Sequence, residues 1–423
     1  MEVASVKQAE LLSHKLIYSR TFQFFSGFFF VVLLPSLLMW KVEGVVSPDM
    51  IKLNSQVGVA CVFSLSLVSL HKLMGFPEAR KALYILPTVL AWYGGLVFFF
   101  FSFRFGYSVY YIFYSFLAAL LFFYLTYFTV VRHVSYHIAY LPLGRAEPHP
   151  DLPGVRWIKL ERAEPLTTHV DAIMTDLHAN IPEHWQRFLA VCTLQRIPVF
   201  HYKRLMESLT GRVKIEHVSE NEFGSLQPSV VYCFIKRAAD IVLALCLLPV
   251  LVPVFAVLTV LIRCDSNGPA LFVQKRVGYC GRLFDMYKFR SMHVDGGGKG
   301  FTESSQDPRI TKVGKVLRKY RLDELPQVLN VLKGEMSFIG PRPESCELSE
   351  WYEQDVPFFS YRHIVRPGIS GWAQVKQGYA AELDGMKKKL EYDFFYIKNF
   401  SLWLDILIVY KTIRILFTGF GAR

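Results

Sequence analysis

Hydrophobic and polar positions divide the chain into blocks of different character. Residues 22 to 40, 56 to 73, 82 to 103 and 108 to 131 are apolar runs, each close to the roughly 20 residues that cross a bilayer as a helix, so four transmembrane helices are predicted. From 132 to 230 polar residues return. There the short runs HIAYLP, RWIKL, VDAIM and IPVFHY alternate with helical or Pro-containing segments, the pattern of a small α/β domain. A fifth apolar run, 241 to 262, contains Pro249 and Pro253. The final block ends in SLWLDILIVYKTIRILF, where Leu402, Trp403, Ile406, Leu407, Tyr410, Ile413 and Phe417 recur at helical spacing beside Lys411 and Arg414. This suits a helix lying in a membrane interface, although a plain core helix gives the same spacing.

Flanking charge orients these runs. Lys7, Lys15 and Arg20 precede the first, and Lys72, Arg80 and Lys81 separate the second from the third, whereas the other two loops hold Lys41 and Lys52, then Arg104. Positive residues mark the cytoplasmic side, so the N-terminus and everything after Arg132 are expected there. No ionisable residue lies mid-span, which makes the bundle an anchor or dimerisation platform rather than a transport path. The fifth run has basic residues at both ends, Lys236 and Arg237 before it and Arg263, Lys275 and Arg276 after it. A re-entrant helix that dips in and returns fits this better than a fifth span that would export the C-terminal block.

The expected fold is therefore a membrane protein with a four-helix transmembrane bundle over 1–131 and a cytoplasmic α/β domain over 132–230, then a re-entrant helix over 231–263 and an α/β catalytic domain over 264–423. Only Gly144 stands where a dinucleotide-binding turn needs several glycines, so the first α/β domain is expected to be degenerate Rossmann-like, with a non-catalytic regulatory or assembly role.

Composition agrees, since 52% hydrophobic residues with 36 Phe among 423 exceed what a soluble chain carries. A net charge of +12 suits anionic headgroups or phosphorylated substrates. Nucleic acid is set aside because the basic residues surround carboxylates and membrane runs. Seven Cys form no CxxC pair, which argues against a zinc site or a disulfide scaffold and fits a reducing compartment. His201 and the other scattered His read as ordinary core or surface residues. The first apolar run lacks a small-residue cleavage site and is expected to remain as an anchor.

The densest chemistry is at 318 to 343, RKYRLDELPQVLNVLKGEMSFIGPRP. Asp323 and Glu324 stand side by side among Arg318, Lys319, Arg321 and Arg342. Pro326 suits a first helical turn and Gly334 a helix end, so the pair is expected at a helix N-terminus, where the dipole keeps a carboxylate ionised and favours a docked phosphate. Asp323 is then a candidate nucleophile; an Asp N-cap with an acidic neighbour is the plainer alternative. The glycine run GGGKG at 296 to 300 lacks the Walker spacing and reads as a loop near the site.

Seven ordered blocks carry a resemblance: KRAAD (236–240), GPALFVQKRVG (268–278), YKFRSM (287–292), DPRIT (307–311), the 318–343 stretch, RPGISGWAQV (366–375) and YDFFYI (392–397). Over 236–412 the chain resembles the catalytic domain of the polyprenyl-phosphate hexose-1-phosphate transferases, the monotopic phosphoglycosyl transferases, in their long form with an N-terminal bundle. The resemblance implies that Asp323 attacks the sugar-proximal phosphorus of a UDP-hexose and releases UMP. Undecaprenyl phosphate would then take the sugar phosphate, in the priming step of a polysaccharide at the bacterial inner membrane. It implies Glu324 as catalytic partner and ligand to Mg²⁺, and Arg318 and Arg342, with Arg321, as phosphate binders. Lys288, Arg290 and Arg366 resemble further substrate-facing positions. Asp393 matches an acidic position that a structural salt bridge explains nearly as well. Pro253 matches the family's helix break, although Val252 replaces the common Ser and Pro249 is additional.

The sugar implied is galactose or glucose, and the remaining expected partners are membrane lipids and a second copy in a homodimer. A processive glycosyltransferase would want an Asp-x-Asp motif, and none is present. Outside enzymes the rival is a membrane scaffold or regulator of polysaccharide assembly.

Overall fold

The computed structural model describes residues 19–76, 82–131, 136–148, 152, 154–166, 168–214, 227–294, 307–377 and 383–418. The GGGKG run and the flanking charges Lys7, Lys15, Arg80, Lys81 and Arg132 lie outside them. The chain divides into two compact units, Met1–Thr210 and Gly211–Arg423.

In the first unit four apolar helices, α1 (Arg20–Val46), α2 (Met50–Met74), α3 (Ala82–Ser102) and α4 (Val109–Thr129), are each long and apolar enough to cross a membrane. They share one core, in which Val31, Phe63, Ile85, Val89, Tyr111 and Ala119 are fully buried. Small residues allow this closeness: a Cβ at Gly58 would come within 2.7 Å of the Phe100 ring. Within α1 the stretch Phe29–Leu33 is a π-turn, which disturbs the normal ladder of carbonyl partners. The buried Tyr111 hydroxyl donates to the Val32 carbonyl at 2.9 Å.

The four strand-like runs become β1 (Tyr136–Tyr140), β2 (Val155–Lys159), β3 (Ala172–Thr175) and β4 (Val199–His201), all parallel in the order β2-β1-β3-β4. Helices α5 (Glu183–Leu194) and α6 (Tyr202–Thr210) complete this α/β domain. Order reverses between β1 and β3, the place where such sheets hold ligands outside the strand C-termini. Here that place is filled from within. The Asp176 carboxylate accepts from the Arg145 N–H at 3.1 Å and the His178 N–H at 3.1 Å, and a Cβ at Gly144 would meet it at 2.5 Å. His137, His169 and Asp171 bring one potential ligand atom each within 4.8 Å, but Asp171 Oδ2 already accepts the His137 backbone N–H at 2.8 Å, so the group reads as a tie between the starts of the central strands β1 and β3.

The second unit begins with residues that pack onto its own body: Trp372 Nε1 donates to the Gly211 carbonyl at 2.9 Å and Val213 N–H to the Glu391 carbonyl at 3.0 Å. Its main feature is α7 (Val230–Asp265), 36 residues long and so roughly 54 Å. The helix continues through Pro249 and Pro253, so the break expected at Pro253 is a loss of backbone donors inside one continuous element. One face explains its persistence. Ala244, Leu248, Leu251, Phe255, Leu258 and Ile262, spaced four and three apart, pack on the cores formed by Phe284, Met286, Val328 and Val331 and by Phe289 and Leu317. The other face exposes Val242, Leu245, Val250, Val257 and Leu261.

Around α7 stand the antiparallel hairpin β5 (Leu271–Val277) and β6 (Leu283–Phe289), α8 (Lys312–Lys319), α9 (Gln327–Lys333) and the parallel pair β7 (Ser337–Ile339) and β8 (Gly368–Ser370). Helices α10 (Cys346–Asp355), α11 (Trp372–Gln377), α12 (Leu383–Lys398) and α13 (Leu402–Thr418) follow. On α13 the buried face is Leu404, Asp405, Leu407 and Ile408, while Leu402, Val409 and Ile413 are exposed. Side chains tie α7 down at both ends. Arg237 donates to the Val331 and Leu332 carbonyls, Lys236 and Tyr232 reach Asp405 at 2.6 Å each, and Asp265 accepts from Val313 N–H at 3.0 Å.

Asp405→Ala strips Lys236, Tyr232 and Tyr396 of a shared acceptor and leaves the largely enclosed Lys236 ammonium with only the more distant Asp240 as counter-charge, at an expected cost of about 3 kcal/mol. Thermal unfolding of the detergent-solubilised protein should show a clearly lowered midpoint, with the exposed Leu402→Ala as an unshifted control.

Candidate active site

Local backbone chemistry sets the acid pair in place. Thr311 caps α8 by accepting the Gly314 N–H at 2.9 Å, and Gly314 lets that helix lie against β6's end, since a Cβ there would sit 2.1 Å from the Ser291 carbonyl. The chain then turns sharply at Arg321, whose left-handed φ of 54° ends the helical run. Leu322–Glu324 form a separate 3₁₀ turn, Pro326 caps α9, and Gly334 closes it with φ of 89°. Asp323 and Glu324 therefore precede α9 rather than occupying its first turn, so nearby cations set their charge more than the dipole does.

Glu324 is buried, and its Oε1 accepts from Arg342 Nη2 at 2.6 Å with Lys288 Nζ at 3.9 Å. Burial alone would raise its pKa, but Arg342 and Lys288 outweigh that and hold it well below the usual carboxylate range. Asp323 moves the other way. Burial first, and then the neighbouring Glu324 charge, push its carboxyl up to about 6 against the pull of Lys288, Arg318 and Arg342. Two adjacent carboxyls are thus split in role by environment. Lys288 feels the same dryness, burial lowering it to about 8 despite Glu324. Arg318 donates from Nε to Ser291 Oγ at 2.9 Å and lies close enough to Asp323 to favour its charge.

The structure brings Asp323, Glu324, Lys288, Arg318, Arg321 and Arg342 together, Arg321 through its attraction on Glu324. Three predicted residues lie elsewhere. Arg290 is 6% exposed and spends its guanidinium on the Ser266 and Asn267 carbonyls at 2.6 and 2.7 Å, fastening α7's end to β6. Arg366 donates to the Gly334 carbonyl at 3.0 Å and covers the Tyr279 ring, at the far end of α9. Asp393 is 1% exposed and pairs with Arg362 at 2.8 Å, so it is a buried structural partner.

That pair supports the site at one remove, because Arg362 also donates to the Arg342 carbonyl at 2.8 Å. Glu344, one residue beyond the GPRP run, joins the network through Lys389 and Arg362. Sequence reasoning passed over Arg276, Glu344, Arg362 and Lys389. Arg276 and Glu344 sat inside or beside quoted motifs, which was the available signal.

The fold and site define a membrane protein whose second unit holds an acid pair in a cationic nest, the equipment of a phosphate-handling enzyme. The Bacterial sugar transferase family model matches residues 231–419. A UDP-N-acetylgalactosamine-undecaprenyl-phosphate N-acetylgalactosaminephosphotransferase of Aeromonas hydrophila is 45% identical over 412 residues, 97% of each chain. A UDP-glucose:undecaprenyl-phosphate glucose-1-phosphate transferase of Escherichia coli (strain K12) is 44% identical over 189 residues, 44% of this chain and 40% of that one. A putative undecaprenyl-phosphate N-acetylgalactosaminyl 1-phosphate transferase of Bacillus subtilis (strain 168) is 46% identical over 132 residues, 31% of this chain and 74% of that one. The chain belongs to the bacterial sugar transferase family.

His363 gives this unit a measurable acid sensitivity. Burial, and then Arg362, lower its imidazole to about 4 against the opposing pull of Glu344. The folded value lies below the ordinary ~6.5, so the unfolded chain binds the extra proton; stability is complete above about pH 6.5 and falls by about 3 kcal/mol as pH drops towards 4. Unfolding midpoints followed from pH 7 to 4.5 should flatten in His363→Phe relative to the parent, and parallel curves would refute the assignment.

Proposed function

We propose that the chain transfers a sugar 1-phosphate from a UDP-sugar to undecaprenyl phosphate, releasing UMP, through a covalent intermediate on Asp323. The chain is a transferase of the undecaprenyl-phosphate sugar phosphotransferase class. The observation that carries the finer reading is the split acid pair: Glu324 is committed as an anion by Arg342, while Asp323 is partly buried beside it with a raised carboxyl.

In the first step an Asp323 oxygen attacks the sugar-proximal phosphorus and the bond to the UMP oxygen breaks, with Arg318, Arg342 and Lys288 neutralising charge on the phosphoryl oxygens. In the second a phosphate oxygen of the lipid attacks the same phosphorus, expels Asp323 as a carboxylate and completes the diphosphate. Glu324 with the adjacent Asp323 suits a divalent cation such as Mg²⁺, an ion that takes one or two carboxylates plus substrate phosphates. Such an ion, when bound, supplies further neutralisation of the pyrophosphate.

Topology follows from α7. Both its ends are fastened to the same body and one face packs along that body, which supports a helix held at one leaflet with its other face in lipid. With α1 to α4 as a spanning bundle, the site then lies at the cytoplasmic face of the inner membrane, where the lipid phosphate arrives. For the sugar we place N-acetylgalactosamine ahead of the galactose or glucose first expected. The relative matched along 97% of this chain is named for it, whereas the glucose-named Escherichia coli relative matches only 44%.

Membranes holding the protein, given radiolabelled UDP-sugars and undecaprenyl phosphate, should yield labelled lipid and free UMP, with N-acetylgalactosamine the preferred donor. Asp323→Asn should abolish both products, and Arg342→Ala should slow transfer by about 10²–10³-fold. Turnover retained by Asp323→Asn would sink the covalent route, and no transfer from any donor would favour a scaffold.

A further inference from the structure

We propose that Arg276 is an additional phosphate-binding residue of this site, engaging an oxygen of a substrate phosphate. The inference rests on the transferase reading above and adds a residue that reading does not use.

The hairpin carries Arg276 to the site on a defined face. Pairing places Arg276 opposite Phe284, Gln274 opposite Met286 and Phe272 opposite Lys288, so alternation puts Arg276, Gln274, Phe284, Met286 and Lys288 on one side of the ribbon. Phe284 and Met286 are buried against α7 and α9, which fixes that side as the inward one. The strand end is also stapled to the loop that bears Arg342: Val277 N–H donates to the Glu344 carbonyl at 3.2 Å, and Arg276 forms an isolated bridge with Ser345. Arg276 is therefore held beside Arg342 by backbone as well as by packing.

Its own partners are neutral. Nη1 donates to the Pro343 carbonyl at 3.2 Å and Nη2 to Gln274 Oε1 at 2.7 Å, while Nε is enclosed without an acceptor. Among the described residues no carboxylate lies within ion-pairing distance of it. The carboxylates that attract it at longer range are already engaged, Glu344 by Lys389 and Arg362 and Glu324 by Arg342 and Lys288. Burial and the Arg342 charge both act against its protonated form, yet a guanidinium keeps its proton in proteins.

Arg276, Lys288, Arg318 and Arg342 thus gather around two carboxyl groups, Asp323 and Glu324, one of which resists ionisation. A sheltered guanidinium without a counter-charge is costly unless an anion arrives. The anion that this reaction brings is phosphate, for which a planar fork of N–H donors is suited. Either the donor's pyrophosphate or the lipid's phosphate meets that description.

The test compares the full-length wild type, Arg276→Gln and Arg276→Lys in detergent or nanodiscs, with equal thermal midpoints confirming intact folds. Titration with inorganic pyrophosphate, which needs no turnover, should show Arg276→Gln binding about 10- to 100-fold more weakly than wild type, the range expected for one charge-assisted contact, with Arg276→Lys in between. Equal binding by wild type and Arg276→Gln, including no binding by either, overturns the proposal whatever happens to activity. Rate measurements then distinguish the source. A raised KM for UDP-sugar at unchanged KM for undecaprenyl phosphate assigns Arg276 to the donor, and the reverse assigns it to the acceptor. A fall in kcat with both KM values unchanged, and no recovery in Arg276→Lys, would mean a purely structural staple and overturns it as well. Failure of the wild type to turn over any UDP-sugar while the pyrophosphate difference persists would refute the transferase reading and leave the anion site standing.

Discussion

The ion pair between Glu324 and Arg342, at 2.6 Å, is the interaction on which the rest of the site depends. Two neighbouring carboxyl groups in a dry pocket resist ionising together, and Arg342 decides which of them carries the charge. Its position is itself enforced. Pro341 and Pro343 restrict the backbone on either side, Arg362 holds the intervening carbonyl, and Asp393 holds Arg362. A residue with no contact to the acid pair therefore governs it through two intermediaries, which explains why a buried acid can look like a site residue in sequence.

A second constraint is the long helix α7. Its apolar stripe is shared by two cores, one under the hairpin and α9, the other under α8 and the acid-bearing turn. The membrane element thus belongs to the catalytic body, and the elements that carry Lys288, Arg276 and Asp323 are registered against it. Arg290 and Arg237 act in the same sense, tying its two ends to β6 and α9 through backbone carbonyls.

The sequence made some of this legible and hid the rest for identifiable reasons. The apolar helices and the four parallel strands were visible because their patterns are local, and the acid pair because five charged residues crowd positions 318 to 324. Arg366 lies at the far end of α9 and Asp393 takes the salt-bridge alternative, because a charged residue in a motif looks the same whether it faces substrate or a buried partner. The left-handed turn at Arg321, a conformation that non-glycine residues seldom adopt, moved the acids off α9 and had no compositional sign. Continuity of α7 through Pro249 and Pro253 was equally hidden, since tertiary packing there overrides what proline does to an isolated helix. In the N-terminal sheet the single glycine near the end of β1, Gly144, is packed against the Asp176 carboxylate, a contact that pattern along the chain does not reveal.

Fastening α7 at both ends has a consequence for how the protein tolerates its surroundings. A helix that spans must match the hydrocarbon thickness or tilt to accommodate it, and α1 to α4 have the length and apolar content for that. A helix bound lengthwise to a rigid body has no such length to match. Under the proposed topology, the depth of the acid pair would follow from the packing of α7 on its own unit, not from a match between helix length and bilayer thickness.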